Sequence, residues 1–200
     1  MFPLQTVLFP YGQLPLHVFE PRYRELTADC LADDREFGVV LIERGSEVGG
    51  GDHRVEIGTL ARIEAASPLE DGRWALVTEA TTRFRVRRWM CEHPYPQALI
   101  EELPSLSLEA GDDLLKRASR AVRRSRALLS ELGEAAALPV DLDLGTSPEE
   151  IGWKLCALAP LTPLDAQRLL ELDDPAERLR ALEALCDAFS WDMSRLLAGG

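Results

Sequence analysis

Lysine is almost missing from this chain. Of 22 cationic side chains only Lys116 and Lys154 are lysines, and 34 carboxylates outnumber the cations to leave a net charge of -12. A surface of that sign repels phosphate backbones and acidic membranes at long range, which argues against nucleic acid as a partner. Neither half escapes the deficit: residues 1–104 carry 11 basic and 17 acidic side chains, and residues 105–200 carry 11 and 17 again. Long hydrophobic runs are missing as well. No apolar stretch approaches the roughly 18 residues that a spanning helix needs. No cation precedes Arg22, and Pro3, Pro10 and Pro15 interrupt what would be the apolar part of a leader peptide. These absences predict a folded chain without a membrane span, resident in the cytoplasm. Cys30, Cys91, Cys156 and Cys186 include no C-x-x-C pair, which excludes a local redox turn or zinc knuckle and fits a reducing compartment.

Catalytic signatures are equally scarce. A phosphate-binding loop would end in Lys-Ser or Lys-Thr at a helix start; the run Gly49-Gly50-Gly51-Asp52 leads into a strand without a lysine and reads as a hairpin loop. There is no G-x-S-x-G elbow, and His17, His53 and His93 are isolated from one another and from any triad pattern. His17, between Leu16 and Val18, reads as a strand histidine rather than a metal ligand. Ser119 lies one helical turn from Lys116, but a charged helix face explains that pair better than a Ser-Lys dyad. Adjacent carboxylates at Asp33-Asp34, Glu101-Glu102, Asp112-Asp113, Glu149-Glu150 and Asp173-Asp174 fall mostly at expected helix ends, where capping and dipole interactions account for them. Two arginine stripes, Arg83-Arg85-Arg87 and the helical Lys116, Arg117, Arg120, Arg123, Arg124 and Arg126, read as solvated faces balanced by acids rather than as an RNA groove. The sequence therefore predicts no catalytic residue, no cofactor and no metal.

What is present is a change of period. Up to about Pro104 apolar residues alternate, and after Gly111 they recur at three and four. Val55, Ile57, Thr59, Ala61 and Ile63 share one strand face against Glu56, Arg62 and Glu64; Phe84 and Val86 oppose the arginines around them. Asp71-Gly72 predicts a tight hairpin turn. Further strands are expected over 6–9, 14–19, 37–42, 74–78 and 97–101, enough to close a small barrel. One inserted helix starts at Pro21 and carries Tyr23, Leu26 and Leu31.

In the second part, Leu114, Leu115, Ala118, Ala121, Val122, Ser125, Leu128, Leu129 and Leu132 mark one face of a helix about 30 Å long. Three later helix starts share one signature, at Ser147-Pro148-Glu149-Glu150, Thr162-Pro163-Leu164-Asp165 and Asp174-Pro175-Ala176-Glu177. Each offers an N-cap oxygen to an orphan amide, a proline where its missing N–H costs nothing, and a carboxylate in the first turn. Short connections predict an antiparallel bundle with Leu155, Leu158, Leu169, Leu170, Leu179, Leu182, Leu185 and Phe189 in its core. Segment 133–146 is the expected loose connection.

The N-terminal blocks Phe2-Pro3-Leu4, Val7-Leu8-Phe9-Pro10 and Leu14-Pro15-Leu16-His17-Val18-Phe19-Glu20-Pro21-Arg22-Tyr23 resemble the opening of the Lon protease N-terminal (substrate-binding) domain family. Phe37-Gly38-Val39-Val40, Gly45-Ser46-Glu47-Val48-Gly49, Ile57-Gly58-Thr59-Leu60-Ala61-Arg62-Ile63, Asp71-Gly72-Arg73 and Arg83-Phe84-Arg85-Val86 follow in the family's order over residues 1–103. Two departures, Tyr11 between Pro10 and Gly12 and Ala80 where the family more often has glycine, touch turns. The resemblance implies an α+β fold: a PUA-like β-barrel with one inserted helix over residues 1–104, followed by a C-terminal antiparallel helical bundle over 105–200. It implies a stand-alone, non-enzymatic module without ATPase or peptidase parts, binding unfolded or extended polypeptide segments and delivering them to a separate protease. A PUA-like RNA-binding protein is the alternative. Glu20, Arg22 and Tyr23 read as scaffold around the helix start. The peptide-binding surface is expected at a groove between barrel and bundle or at an exposed sheet edge, and its residues are unknown at this point.

Overall fold

The computed structural model describes residues 1–45, 47, 53–107 and 112–199 and, for residues 112, 198 and 199, the backbone alone. The glycine run at 49–51 lies outside the described residues. Two units emerge, Met1–Ser105 and Leu106–Gly200.

In the first unit the period-two stretches become six strands: β1 (Phe2–Leu4), β2 (Gln13–Val18), β3 (Glu36–Arg44), β4 (His53–Pro68), β5 (Trp74–Trp89) and β6 (Ala98–Glu102), with helix α1 (Pro21–Ala32) inserted after β2. The ladder runs β1-β3-β4-β5-β2, and β6 joins β5 beyond β2. β1 is parallel to β3 and every other pairing is antiparallel. The β4–β5 hairpin turns at Asp71-Gly72 as expected, with Gly72 at φ 77° and its N–H donating to the Leu69 carbonyl at 2.9 Å.

Closure into a barrel is not what the strands do. Among the described residues no ladder joins β1 to β2, and the sheet curls as a half-barrel. The expected strand over 6–9 does not form. Leu8 and Phe9 are buried there, but Leu8 spends its carbonyl on the buried Thr59 hydroxyl at 2.7 Å. Pro10 then removes a donor and Tyr11 turns the chain at φ 62°. The strand moves to Phe2–Leu4 instead. Pro3 is tolerated there because β1 is an edge, as is Pro15 in β2, which pairs with β5 alone among the described residues.

The first core packs α1 into the concave sheet, with Tyr23, Leu26 and Cys30 against Phe2, Leu4, Val18, Phe37, Ile63 and Leu76. Phe2 stacks on Tyr23 with ring centroids 4.2 Å apart. A second cluster of Val40, Phe84 and Val86 lies beyond it, flanked by Met1, Leu60, Trp89, Ala98 and Ile100. Glycines make room for the Phe84 ring: a Cβ at Gly38 would stand 2.8 Å from Phe84 Cζ, and one at Gly58 2.7 Å. Full burial of a phenylalanine contributes about 1.5–3 kcal/mol, which offsets the roughly 0.5–1 kcal/mol that each strand glycine costs.

The arginine stripe is broken by the same region. Arg83 is only 4% exposed, next to Phe84 at 0%. Between the Thr59–Arg83 and Ala61–Ala80 pairs β5 carries an extra residue, and this bulge interrupts the alternation that places Arg83 in solvent.

The second unit holds α2 (Asp112–Glu131), α3 (Pro148–Leu158), α4 (Pro163–Glu171) and α5 (Pro175–Gly199). All three helix starts carry their caps. The Ser147 hydroxyl accepts from Glu150 N–H at 3.1 Å, Thr162 from Asp165 N–H at 3.1 Å, and the Asp174 carboxylate from Ala176 N–H at 2.8 Å.

The expected antiparallel arrangement is corrected for the principal pair. α2 packs chiefly on α5, and partners advance together along both: Arg117 meets Glu183 at 3.2 Å, Arg124 pairs with Asp187, and Ser125 meets Ser190 at 3.0 Å. The two helices run in the same direction. Short connections govern sequential neighbours only, and α3 and α4 supply the return path between α2 and α5. Small side chains line the seam, with Ala118, Ala121 and Ser125 on α2 and Cys186 and Ser190 on α5 all buried. Leu155, Leu169, Leu170, Leu179 and Leu182 are core as expected, whereas Leu158, Leu185 and Phe189 are half-buried. Segment 133–146 is irregular, yet Arg126 holds the Ala136 carbonyl at 3.1 Å and Arg123 the Pro139 carbonyl at 2.8 Å.

Candidate functional site

The long N-terminal block builds the entry to α1. Pro21 takes the first helical position after Glu20, whose side chain makes no capping bond. Glu20 pairs with Arg22 instead, Oε2 to Nε at 3.1 Å, and Arg22 reaches on to the Glu47 carbonyl at 3.0 Å. The Arg22 guanidinium also lies 4.4 Å from the centre of the buried Tyr23 ring. Glu47 in turn accepts from the Gln5 N–H at 2.5 Å. These contacts tie β1, β2, α1 and the segment after β3 together, so Glu20, Arg22 and Tyr23 act as scaffold. A small cleft of about 110 Å³ opens beside Glu20 and Tyr23, next to the half-exposed Phe19.

A larger groove, about 540 Å³, lies at the other end of α1. Its apolar floor comes from Met1, Leu26, Phe37, Leu60, Ala98 and Ile100, with Met90 and Tyr95 from the segment between β5 and β6. Several of these flank the Phe84 cluster, so the floor is the outer edge of a core left uncovered. Met90 is 54% exposed. Cross-strand register aligns it: Gly38 faces Leu60 across β3–β4, and Ile100 faces Val86 across β5–β6. Because Gly38 has no side chain, the Met1 thioether lies directly against the strand.

The rim is acidic. Asp29, Asp33, Asp34, Glu36 and Glu102 line the groove, and none of the lining residues is lysine, arginine or histidine. Some of this charge is engaged: Glu36 pairs with Arg62 at 2.7 Å, Asp34 accepts from Glu36 N–H at 3.0 Å, and Asp29 accepts from the Tyr95 hydroxyl at 2.6 Å. Burial, and then that bond to Asp29, push the Tyr95 phenol up to about 12, which keeps it a donor at any ordinary pH. The side chains of Asp33 and Glu102 have no ion-pair partner among the described residues. The Met1 amino group, donating to the Pro96 carbonyl at 2.8 Å, is pushed by burial down to about 6, so it offsets little of the charge at neutral pH. Arg35 turns its side chain away to the Ile63 carbonyl at 2.9 Å.

The placement of Asp33-Asp34 departs from the capping explanation. The pair follows the C-terminus of α1, with Asp33 as its C-cap residue, where the helix dipole is negative and carboxylates gain nothing from it. Sequence reasoning missed this groove because its walls come from positions scattered between 1 and 102. The one visible signal was an acidic pair at the wrong helix end.

Elsewhere the candidate chemistry disperses. His17 is exposed on β2, and among the described residues no three His, Cys, Asp or Glu side chains converge as a metal site. Arg87 pairs with Glu101, and Arg117 with Asp113 as well as Glu183. With Arg124 on Asp187 and with Arg123 and Arg126 on loop carbonyls, the basic stripes are largely spent inside the molecule. Among the described residues no helix is long and apolar enough to cross a membrane.

Comparison with known proteins agrees with this scaffold. The family profile described as the ATP-dependent protease La (LON) substrate-binding domain matches residues 1–187. "Lon protease 2" of Sorangium cellulosum is 28% identical over 92% of this chain, which covers 24% of that protein. A LON peptidase N-terminal domain and RING finger protein of Schizosaccharomyces pombe is 22% identical over 88% of this chain and 43% of its own length. The chain thus spans between a quarter and a half of these relatives. Among solved structures, a Lon N-terminal domain protein from Xanthomonas campestris superposes with a TM-score of 0.67 at 30% identity, covering 92% of this chain and 95% of that one.

Proposed function

Because the chain belongs to the Lon protease substrate-binding domain family, we propose that it is a recognition module that holds exposed apolar or extended segments of polypeptide in the groove at the C-terminal end of α1. The observation that carries this reading is the 540 Å³ groove itself, floored by Met1, Leu60, Ile100 and Met90. Methionine-rich apolar floors adapt to varied side chains, as a non-selective client site requires. The module acts by binding alone and works with a separate protease that does the cutting. We assign the groove to a binding domain over 1–104, built on a PUA-like scaffold, and the helices to a second domain over 105–200. The unpaired, widely spaced cysteines support a reducing, cytoplasmic setting.

The RNA alternative is not favoured: the family is a protein-substrate one, and Arg87, Arg117 and Arg124 of the two basic stripes are engaged by internal acids. A labelled client protein, presented native and then reduced and denatured, tests the reading by fluorescence anisotropy. Saturable binding of the denatured form only is expected; equal, negligible binding of both contradicts it.

A further inference from the structure

Resting on that reading, the structure assigns a substrate preference to the groove: we propose that it selects segments in which a bulky apolar residue is flanked by lysine or arginine. Apolar floor and rim chemistry have different origins. Leu60 and Ile100 supply the contact area, whereas Asp33 and Glu102 supply charge that no ion pair among the described residues uses.

Two observations single out this charge from the general acidity of the surface. Asp33 terminates α1 at the negative end of its dipole, where a carboxylate is unfavourable to the helix. The helix end and the carboxylates therefore add to one another and focus negative potential on one wall of the cavity. The neighbouring cations are also already committed, Arg62 to Glu36 and Arg35 to a backbone carbonyl. A cationic side chain entering beside Asp33 and Glu102 meets carboxylates without competing partners, while its aliphatic stem lies along the apolar floor. An acidic segment meets repulsion at the same place. Such a preference fits clients whose hydrophobic stretches, normally buried, lie between basic residues.

The test uses two fluorescent peptides with one apolar core, Leu-Val-Phe, flanked by arginine in one and by glutamate in the other, titrated with the full chain. The arginine peptide is expected to bind about five- to tenfold tighter at low ionic strength, the size that two half-exposed ion pairs provide, and to lose most of that advantage in 0.5 M salt. The double variant Asp33→Asn, Glu102→Gln, which changes two unpaired carboxylates and no core contact, should bring the two peptides level. Equal affinities for the wild-type chain, or a preference that survives in the double variant, overturn the charge preference and leave the groove reading standing. Failure of both peptides to bind overturns the two together.

Discussion

Tyr95 donates its hydroxyl hydrogen to Asp29 across 2.6 Å, joining the segment between β5 and β6 to a helix 66 residues earlier. Both residues line the groove. Replacing Tyr95 by Phe should cost about 0.5–1.5 kcal/mol of stability and, by freeing the wall, weaken capture of a denatured client several-fold. Denaturant titration and anisotropy measured on the same variant check both; unchanged affinity would separate this bond from the site.

Gly58 predicts a steeper loss. A methyl group there would collide with the Val39 carbonyl oxygen as well as with Phe84, and backbone cannot move aside as a flexible side chain does. Gly58→Ala should destabilise the chain by about 1–3 kcal/mol, read as a lower denaturant midpoint with an unchanged slope. A neutral result would mean that Phe84 is not held as described.

The parallel seam of α2 and α5 rests on small residues, since Ser125 Oγ lies 3.0 Å from each of Ala121 O, Cys186 O and Ser190 Oγ. Ser125→Ala should cost about 1 kcal/mol through the lost hydrogen bonds, and Ser125→Leu about 1–3 kcal/mol through overpacking. If leucine proved as stable as serine, the two helices would not approach along this face.

Three thiols tie stability to alkaline pH. Burial pushes Cys30 from 9.0 to about 11, Cys156 to about 12 and Cys186 to about 11. Their folded values lie above the unfolded one, so the stabilising contribution is whole below pH 9 and disappears as pH climbs through 11 to 12. The denaturant midpoint should fall between pH 9 and 11, and less so in Cys156→Ala. At pH 7.5 iodoacetamide should label the exposed Cys91 alone in the native chain; a second rapid adduct, seen by mass spectrometry, would contradict the burial of the others.

Local rules were legible in the sequence, and pairing was not. Ser147, Thr162 and Asp174 declared themselves because a cap, a proline and an acid need only four consecutive residues. Asp71-Gly72 did so because a hairpin turn is equally local. By contrast, Val7 to Phe9 has strand composition, and the tertiary bond from Thr59 to the Leu8 carbonyl, with the turn at Tyr11, decides against a ladder. Alternation alone puts Arg83 in solvent, because a bulge that shifts it is set by the partner strand. The direction of α5 against α2 depends on a return path through α3 and α4, which loop lengths alone do not specify. The groove belongs with these: Met1, Gly38, Leu60, Tyr95 and Ile100 meet only because three ladders and one helix bring them together.

If polypeptide sits in this groove, backbone amide chemical-shift mapping locates it there. Titrating the isotope-labelled chain with an unlabelled, unfolded client should shift Gly38, Leu60, Tyr95 and Ile100 first and most. Shifts confined to the outer edge of β2 or to the exposed Trp191 and Leu196 end of α5, with the groove amides still, would contradict it.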